Sequence, residues 1–269
     1  MLAILGRGRD QYGFTAIKAE FEAEGTRTDE LLRMLELTRR AGLDVGLKIG
    51  GCEAIRDLYE ARQFGVDYVV GPMIESPYAL SKYIDAKNLA YSQDEQVDTQ
   101  FLINLETAFA FEHLDELIRV GREPGGIDGL VFGRSDFVMS TGRSASHIND
   151  ADITKACIDA AAACAQVNFD FVVGGGVSKD ALPELFSIAG THLSRFETRK
   201  VIFDARCLFE GDALRPPTDV EPGLLEAVHF EILWLMNKQD YYSRISQEDS
   251  DRIVMLTKRW DVLSGGAAI

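Results

Sequence analysis

Short apolar runs alternate with amphipathic segments along most of the chain. The amphipathic segments have helical spacing, as in residues 26–42, where acidic residues come early and Arg39 and Arg40 come late. The apolar runs predict strands at residues 14–21, 44–51, 66–74, 99–107, 127–137, 168–176 and 192–203. Nearly continuous apolar strands separated by helices are typical of a parallel sheet that is covered on both faces. The pattern therefore predicts an α/β protein.

The number of strands favours a closed barrel over an open sheet. The seven runs are convincing strands, and the apolar residues 1–6 are a candidate for an eighth. An open doubly wound sheet is the alternative, but it usually has fewer strands in sequence. The length of 269 residues suits a (β/α)8 barrel, which typically needs about 250. We predict a (β/α)8 TIM barrel formed by residues 1–220, followed by a C-terminal helical extension at 221–269.

The C-terminal extension is richer in aromatic residues than a helix that merely covers a barrel. Residues 224–245 and 250–263 predict two amphipathic helices, with Ser246 or Asp249 capping the second. Ordinary packing and a subunit interface both explain the aromatic residues. We expect the tail 265–269, with the sequence GGAAI, to lack regular structure.

Composition and charge exclude several classes of partner. The formal net charge of −15 repels nucleic acid and anionic membrane surfaces, but it does not exclude a small anionic substrate. No apolar stretch approaches the roughly 20 residues of a membrane span. The four cysteines lack the spacing of a zinc site, so we interpret them as reduced thiols of a cytoplasmic protein.

Candidate catalytic residues lie where predicted strands end, because barrel enzymes assemble their active sites there. Glu106 and Asp136 end neighbouring strands and are hard oxygen ligands suited to Mg2+ or Mn2+. Salt bridges or helix caps would explain the same two acids equally well. Other predicted strands end at further candidate catalytic residues, namely Lys48, Glu20 and Glu22.

Two further segments also allow two interpretations. Arg195 and Arg199 share one face of a predicted strand with Glu197, which fits either an acidic substrate or an ion-paired barrel interior. The glycines at 174–176 form either a tight turn or a backbone site for a phosphate or carboxylate.

Several motifs, taken in order, resemble those of the HpcH/HpaI aldolase and citrate lyase family. INLETAFAFEHLDELI is followed by GIDGLVFGRSDF, as in the paired family signature of a strand-ending Glu and a G-x-S-D strand end. VDYVVGPMIES resembles the strand that precedes them, and FTAIKAEFEAEGT lies where the family has an acidic D-x-E strand end. The resemblance covers residues 14–205.

The resemblance implies a metal-dependent carbon–carbon lyase, a class II-type aldolase. Glu106 and Asp136 match the metal-ligand positions for Mg2+ or Mn2+. The backbone around Gly133, Arg134 and Ser135 falls where the family binds the carboxylate of a pyruvate-like 2-oxo acid. Pro72, in the GPM motif, joins this substrate-binding set. The family mechanism passes through a metal-stabilised enolate, uses an aldehyde-type second substrate, and operates in a homo-oligomer, a trimer or hexamer.

The chain departs from the family pattern at two positions. Lys48 stands where the family commonly has an Arg, and a lysine lacks the planar fork of a guanidinium. Ala23 stands where many members have a His or Asp that takes part in acid–base chemistry. The base is then Glu20, Glu22 or a water held by them. A citrate-lyase-like enzyme that uses an acyl thioester, an enzyme that uses phosphoenolpyruvate, and a non-catalytic barrel that retains the metal site remain alternatives.

Overall fold

A computed structural model of the protein describes residues 1–263, except for the side chain of Asp261. Eight strands close into the predicted barrel, and helices cover it. The barrel strands are β1 Phe14–Glu20, β2 Asp44–Lys48, β3 Tyr68–Gly71, β4 Gln100–Leu105, β5 Gly129–Gly133, β6 Asp170–Gly174, β7 Arg195–Glu197 and β8 Val201–Asp204, and a small hairpin adds β9 Phe209–Glu210 and β10 Ala213–Leu214. The helices are α1 Leu2–Tyr12, α2 Thr28–Ala41, α3 Ile55–Phe64, α4 Pro77–Ala90, α5 Ala108–Glu112, α6 Leu114–Gly121, α7 Arg134–Ser140, α8 Ala151–Val167, α9 Leu182–Ala189 and α10 Pro217–Leu263.

The last barrel strand runs opposite to the others. Strands β1 to β7 are parallel, whereas β8 pairs antiparallel with both β7 and β1. The single strand predicted at 192–203 is therefore wrong, because the chain reverses at Thr198, whose amide donates to the Val201 carbonyl at 2.9 Å. A period-two pattern continues unchanged through such a tight turn, so alternation alone does not reveal the reversal. The eighth strand comes from this segment.

The strand proposed at residues 1–6 is also wrong, since these residues begin helix α1. Ile4 and Leu5 are buried, and the helix contacts β1, α2 and α10. Gly8 allows the close approach, because a Cβ there would lie 2.0 Å from the Phe14 ring. Apolar residues spaced three and four apart suit a helix face as well as a short strand, and packing against the barrel decides between them.

A repeated helix-to-strand junction sets where the strands begin. Gly42, Gly65 and Asn168 each end a helix in the left-handed conformation, with φ of 71°, 67° and 59°. A buried apolar residue and then an aspartate follow each of them. The Asp67 carboxylate accepts from the Val45 amide at 2.7 Å, which fixes its strand against the neighbouring one. These junctions form the amino-terminal end of the barrel, so the opposite end is free for a site.

Arg195 lies at this amino-terminal end, inside the barrel. Its guanidinium donates to Asp170 at 2.8 Å and lies 4.5 Å from the centre of the Tyr68 ring. The Tyr68 hydroxyl in turn donates to Asp44 at 3.1 Å. Of the two interpretations of Arg195, the geometry therefore supports the ion-paired barrel interior.

The C-terminal extension is one continuous helix, α10, so the prediction of two helices is wrong. Ser246 and Asp249 lie inside this helix, and no glycine or proline interrupts it between Gly223 and Leu263. A buried stripe on its first half packs against the barrel: Val220, Leu224, Ala227, Phe230 and Trp234. The tail 265–269 lies outside the described residues. Within residues 1–263, no helix is both long and apolar enough to cross a membrane.

Candidate active site

A cavity of about 570 Å³ opens at the carboxyl ends of the barrel strands. Most of the predicted site residues line it, namely Glu20, Glu22, Lys48, Glu106, Gly133, Ser135 and Asp136. In total, six carboxylates and three cationic side chains face it: Glu20, Glu22, Glu106, Asp136, Glu197 and Glu231 against Lys18, Lys48 and Arg199. This excess of negative charge favours a cation in the cavity.

Glu106 follows directly after β4 and is almost completely buried, with 2% of its surface exposed. Its Oε1 accepts from the Met73 amide at 2.8 Å, and its Oε2 accepts from the Asn104 side chain at 2.7 Å. Burial raises the pKa of Glu106, the nearby Lys48 opposes this rise, and the charge of Asp136 adds to it. The two carboxylates line the same cavity.

Met73 adopts a backbone conformation that is unusual for a residue with a side chain. Its φ of 49° lies in the left-handed region, and the strained residue presents its amide to Glu106. The surrounding structure holds Glu106 in one orientation through this contact. Met73 lines the cavity. The preceding residue, Pro72, was predicted to bind substrate but does not line it.

Asp136 belongs to a helix rather than to a strand. Strand β5 was predicted to reach residue 137, but it ends at Gly133, and α7 begins at Arg134. The GRSDF sequence is therefore a strand-to-helix junction, with Asp136 in the first helical turn. Gly133 is required at the junction, because a Cβ there would lie 2.8 Å from the Cβ of Glu106.

The amides of Arg134 and Ser135 border a small cradle beside Gly175. A Cβ on Gly175 would fill it, lying 2.6 Å from the Ser135 nitrogen and 3.0 Å from the Arg134 nitrogen. The Arg134 side chain takes no part, because it is buried and donates to the Gly175 carbonyl at 2.9 Å and to Asn149 at 3.1 Å. Arg134 can therefore act only through its backbone.

Lys48 reaches the cavity from the end of β2. Its ammonium forms ion pairs with Glu22 at 3.2 Å and with Glu106 at 3.7 Å. The lysine thus lies beside one of the two predicted metal ligands. This is a position from which a positive charge can act on a substrate bound there.

Lys18 and Glu197 form a buried pair that the sequence analysis did not assign to the site. The Lys18 ammonium contacts Glu197 at 2.5 Å and Glu20 at 3.1 Å. Burial alone would lower the pKa of Lys18, but the two glutamates outweigh burial and raise it, so the amine stays protonated. A lysine within an apolar strand, two residues before a strand-ending glutamate, was the available signal.

Arg199 lines the cavity, where it could contact an acidic substrate. Its guanidinium, however, forms an ion pair with Glu24 at 3.1 Å. Glu231, on the first half of α10, also lines the cavity, and its charge acts on Arg199. The sequence offered no signal for Glu231, because only the packing of α10 brings it to the cavity.

The glycines at 174–176 form a turn, with φ of 79° at Gly175 and 58° at Gly176.

The fold and the cavity define a mixed eight-stranded barrel with an acid-lined pocket at the carboxyl ends of its parallel strands. The sequence profile of the HpcH/HpaI aldolase/citrate lyase family matches residues 29–181, more than half of the chain. The chain belongs to this family, and membership supports a lyase-type function. The matched segment includes Lys48, Glu106 and Asp136, and it excludes Glu20 and Glu22.

Solved structures share the fold at low sequence identity. A family protein from Burkholderia cenocepacia is 15% identical with a TM-score of 0.54, over 74% of this chain and 93% of its own. The HpcH/HpaI aldolase from Desulfitobacterium hafniense is 10% identical with a TM-score of 0.58, over 73% of this chain and 81% of its own. RipC from Yersinia pestis is 15% identical with a TM-score of 0.50, over 78% of this chain and 88% of its own. No curated protein sequence matches the chain.

Proposed function

We propose that this protein is a divalent-metal-dependent carbon–carbon lyase of the aldolase type. Its substrate would be a pyruvate-like 2-oxo acid, and an aldehyde would be the second fragment. The observation that carries the proposal is the placement of Glu106 and Asp136 in one open cavity, with the Lys48 ammonium beside Glu106. Family membership supports the lyase class, and the type of donor atoms supports the metal.

The two carboxylates fit Mg2+ or Mn2+. No group of three or more His, Cys, Asp or Glu residues within 1–263 is arranged to hold a metal. Magnesium, however, commonly binds through one or two carboxylates, while water and substrate complete the octahedron. Each Glu106 oxygen accepts a single hydrogen bond and keeps a lone pair. The carboxylate of Asp136 forms no hydrogen bond or ion pair with residues 1–263. Such an ion would supply Lewis-acid stabilisation of the charge that develops on the 2-oxo oxygen.

The protein groups around these carboxylates have separate tasks. The amides of Arg134 and Ser135, at the cradle beside Gly175, would hold the substrate carboxylate and so orient the 2-oxo acid. Lys48 would stabilise negative charge that develops next to Glu106. The buried surroundings of Glu106 strengthen these interactions, because charges interact more strongly where water is excluded.

Glu22 is a better candidate than Glu20 for moving a proton at the methyl carbon of the substrate. Burial alone would raise the pKa of Glu20, but Lys18, with Lys48 and Lys200, outweighs burial and lowers it. Glu20 is therefore an ionised partner of Lys18 and a weak base. The Glu22 side chain is 31% exposed in the cavity and is held by Lys48 at 3.2 Å. We assign the proton transfer to Glu22 and the positioning of Lys18 to Glu20.

Exchange of the pyruvate methyl protons in deuterium oxide tests this function, because only an enzyme that forms an enolate should catalyse it. We expect NMR to show exchange that requires Mg2+ or Mn2+ and stops when a chelator removes the metal. Metal binding by calorimetry without any exchange would instead favour another acid substrate or a non-catalytic barrel. Absence of metal binding would overturn the proposal.

We also propose that the protein is a homo-oligomer, a trimer or hexamer, assembled through the second half of α10. Large apolar side chains there are exposed, including Ile245 at 41%, Ile253 at 62% and Leu256 at 50%. Truncation before Ser246 removes Ile253 and Leu256 and keeps the stripe that packs on the barrel. We expect sedimentation velocity to show an oligomer for the full chain and a folded monomer for the truncated chain. A truncated chain that still assembles would contradict this assignment.

A further inference from the structure

Lys87 is a buried lysine at the end of the barrel opposite the candidate active site. It lies in the last turn of α4 and is 1% exposed. Its Nζ donates to the Gln96 side chain at 2.6 Å and to the Asn88 side chain at 2.9 Å, and it lies 4.7 Å from the centre of the Phe101 ring. Within residues 1–263, no carboxylate comes within 4.0 Å of it. The buried Lys18 and Lys200, by contrast, are both paired with glutamates.

The Lys87 side chain lines a second cavity, of about 340 Å³. The cavity lies between the end of α4 and the segment 121–128 that leads into β5. Exposed charged residues line the same cavity, namely Arg122, Glu123 and Asp128, and the charge of Asp128 acts on Lys87. The 1% exposed side chain of Lys87 therefore lies at the inner wall of a cavity whose rim carries a guanidinium.

The surroundings make a larger fraction of Lys87 uncharged than of an ordinary lysine. Burial lowers the pKa of Lys87 to about 8, and the charge of Asp128 opposes this only in part. A neutral amine has two N–H groups, and the side-chain oxygens of Gln96 and Asn88 accept both of them. The lone pair of the neutral nitrogen takes part in neither of these hydrogen bonds. A neutral amine at neutral pH is a nucleophile, whereas an ordinary surface lysine is almost fully protonated.

We propose that Lys87 is a modification site that accepts an acyl group from a small acyl phosphate, with Arg122 binding the phosphate at the rim. The amine nitrogen attacks the carbonyl carbon, the carbon–oxygen bond to phosphate breaks, and an amide forms. The products are acyl-Lys87 and inorganic phosphate, and the amine proton passes to the phosphate or to water. Arg122 suits this task, because a guanidinium binds phosphate oxygens through two parallel hydrogen bonds.

The test is a comparison of acylation rates within the intact protein. The full chain is treated with acetyl phosphate at pH 7, and mass spectrometry follows the modified fraction of Lys87 and of Lys82. Lys82 is the internal control, because it lies on the same helix, has a side chain that is 35% exposed, and has its pKa raised by Glu53. The neutral fraction at pH 7 is about 10% for a pKa of 8 and below about 0.1% for an ordinary lysine. Lower nucleophilicity and restricted access offset part of this difference, so we expect Lys87 to react about ten times faster.

A second reagent separates the reactivity of the amine from recognition of the phosphate. N-acetoxysuccinimide, which is uncharged, should also prefer Lys87. Arg122→Met should lower the rate of Lys87 with acetyl phosphate about fivefold or more and leave the rate with N-acetoxysuccinimide unchanged. Circular dichroism would verify that the variant is folded. The proposal is overturned if Lys87 reacts no faster than Lys82 with acetyl phosphate, or if Arg122→Met changes both reagents alike. None of these results depends on whether the lyase activity exists.

Discussion

Replacing Glu106 by Gln, or Asp136 by Asn, is expected to lower metal-dependent exchange of the pyruvate methyl protons by about a thousandfold or more. Each substitution keeps the size of the side chain and removes the negative charge that would hold the metal. The two residues should act as one unit, so the double variant should lose little more than either single variant. NMR rates at saturating Mn2+ would measure the loss. The surface variant Glu60→Gln, which alters only an exposed ion pair with Arg56, is the control.

Stability measurements distinguish loss of the site from loss of the fold. Burial makes the Glu106 charge unfavourable, and Gln removes that charge, so the free energy of unfolding of Glu106→Gln should stay within about 1 kcal/mol of wild type or rise. Mn2+ should raise the melting temperature of wild type but not of this variant, because only a folded protein that binds the ion is stabilised by it. A variant that keeps its activity and its metal-induced stabilisation would contradict the ligand assignment.

Substitutions of Lys48 can be tested by the same exchange and melting measurements. Lys48→Met should slow exchange by about a hundredfold, because it removes one source of charge stabilisation. It should keep the metal-induced rise in melting temperature, because both proposed ligands remain. Lys48→Arg should restore part of the rate. A loss of metal binding in Lys48→Met would show that the lysine acts by organising Glu106 rather than on the substrate.

Replacing Arg195 by Met is expected to cost about 3–5 kcal/mol of unfolding free energy at pH 7. The guanidinium is the counter-ion of Asp170 and also interacts with Asp44 and Asp128. The variant leaves Asp170 without its ion-pair partner and removes one of the positive charges that act on Asp44 and Asp128. Denaturant unfolding would measure the change. The matched control is Arg206→Met, which removes an exposed ion pair with Asp204 and should cost less than about 1 kcal/mol.

The pH dependence of this loss follows from the aspartates. Burial already raises the pKa of Asp44 and of Asp128 above the ordinary value, and loss of the guanidinium would raise both further. A carboxyl group with a raised folded pKa destabilises the fold while it is ionised, and this cost disappears as the pH falls through that pKa. The difference between Arg195→Met and wild type should therefore shrink as the pH is lowered from 7 towards the raised pKa values of these aspartates. A constant difference would indicate lost packing on Tyr68 instead.

The sequence predicted the fold class well, because the period and length of apolar runs depend on local geometry alone. Two of its errors fell on short segments whose apolar residues satisfy two patterns at once. Residues 1–6 suit a helix face or a strand, and residues 192–203 alternate straight through the reversal at Thr198. The link at 246–249 has no residue that breaks a helix, so α10 continues through it.

The sequence by itself determined the barrel, the strand-end positions of Lys48, Glu20 and Glu106, and the family motifs around Asp136. Parallel strands place their carboxyl ends at one face, so residues far apart in sequence could be expected to meet there. Only the tertiary structure decided which of them turn into the cavity. The Arg134 side chain bonds to the Gly175 carbonyl, Met73 lines the cavity while Pro72 does not, and the packing of α10 places Glu231 in the cavity wall. Such choices depend on side-chain packing between distant elements, which a one-dimensional pattern does not encode.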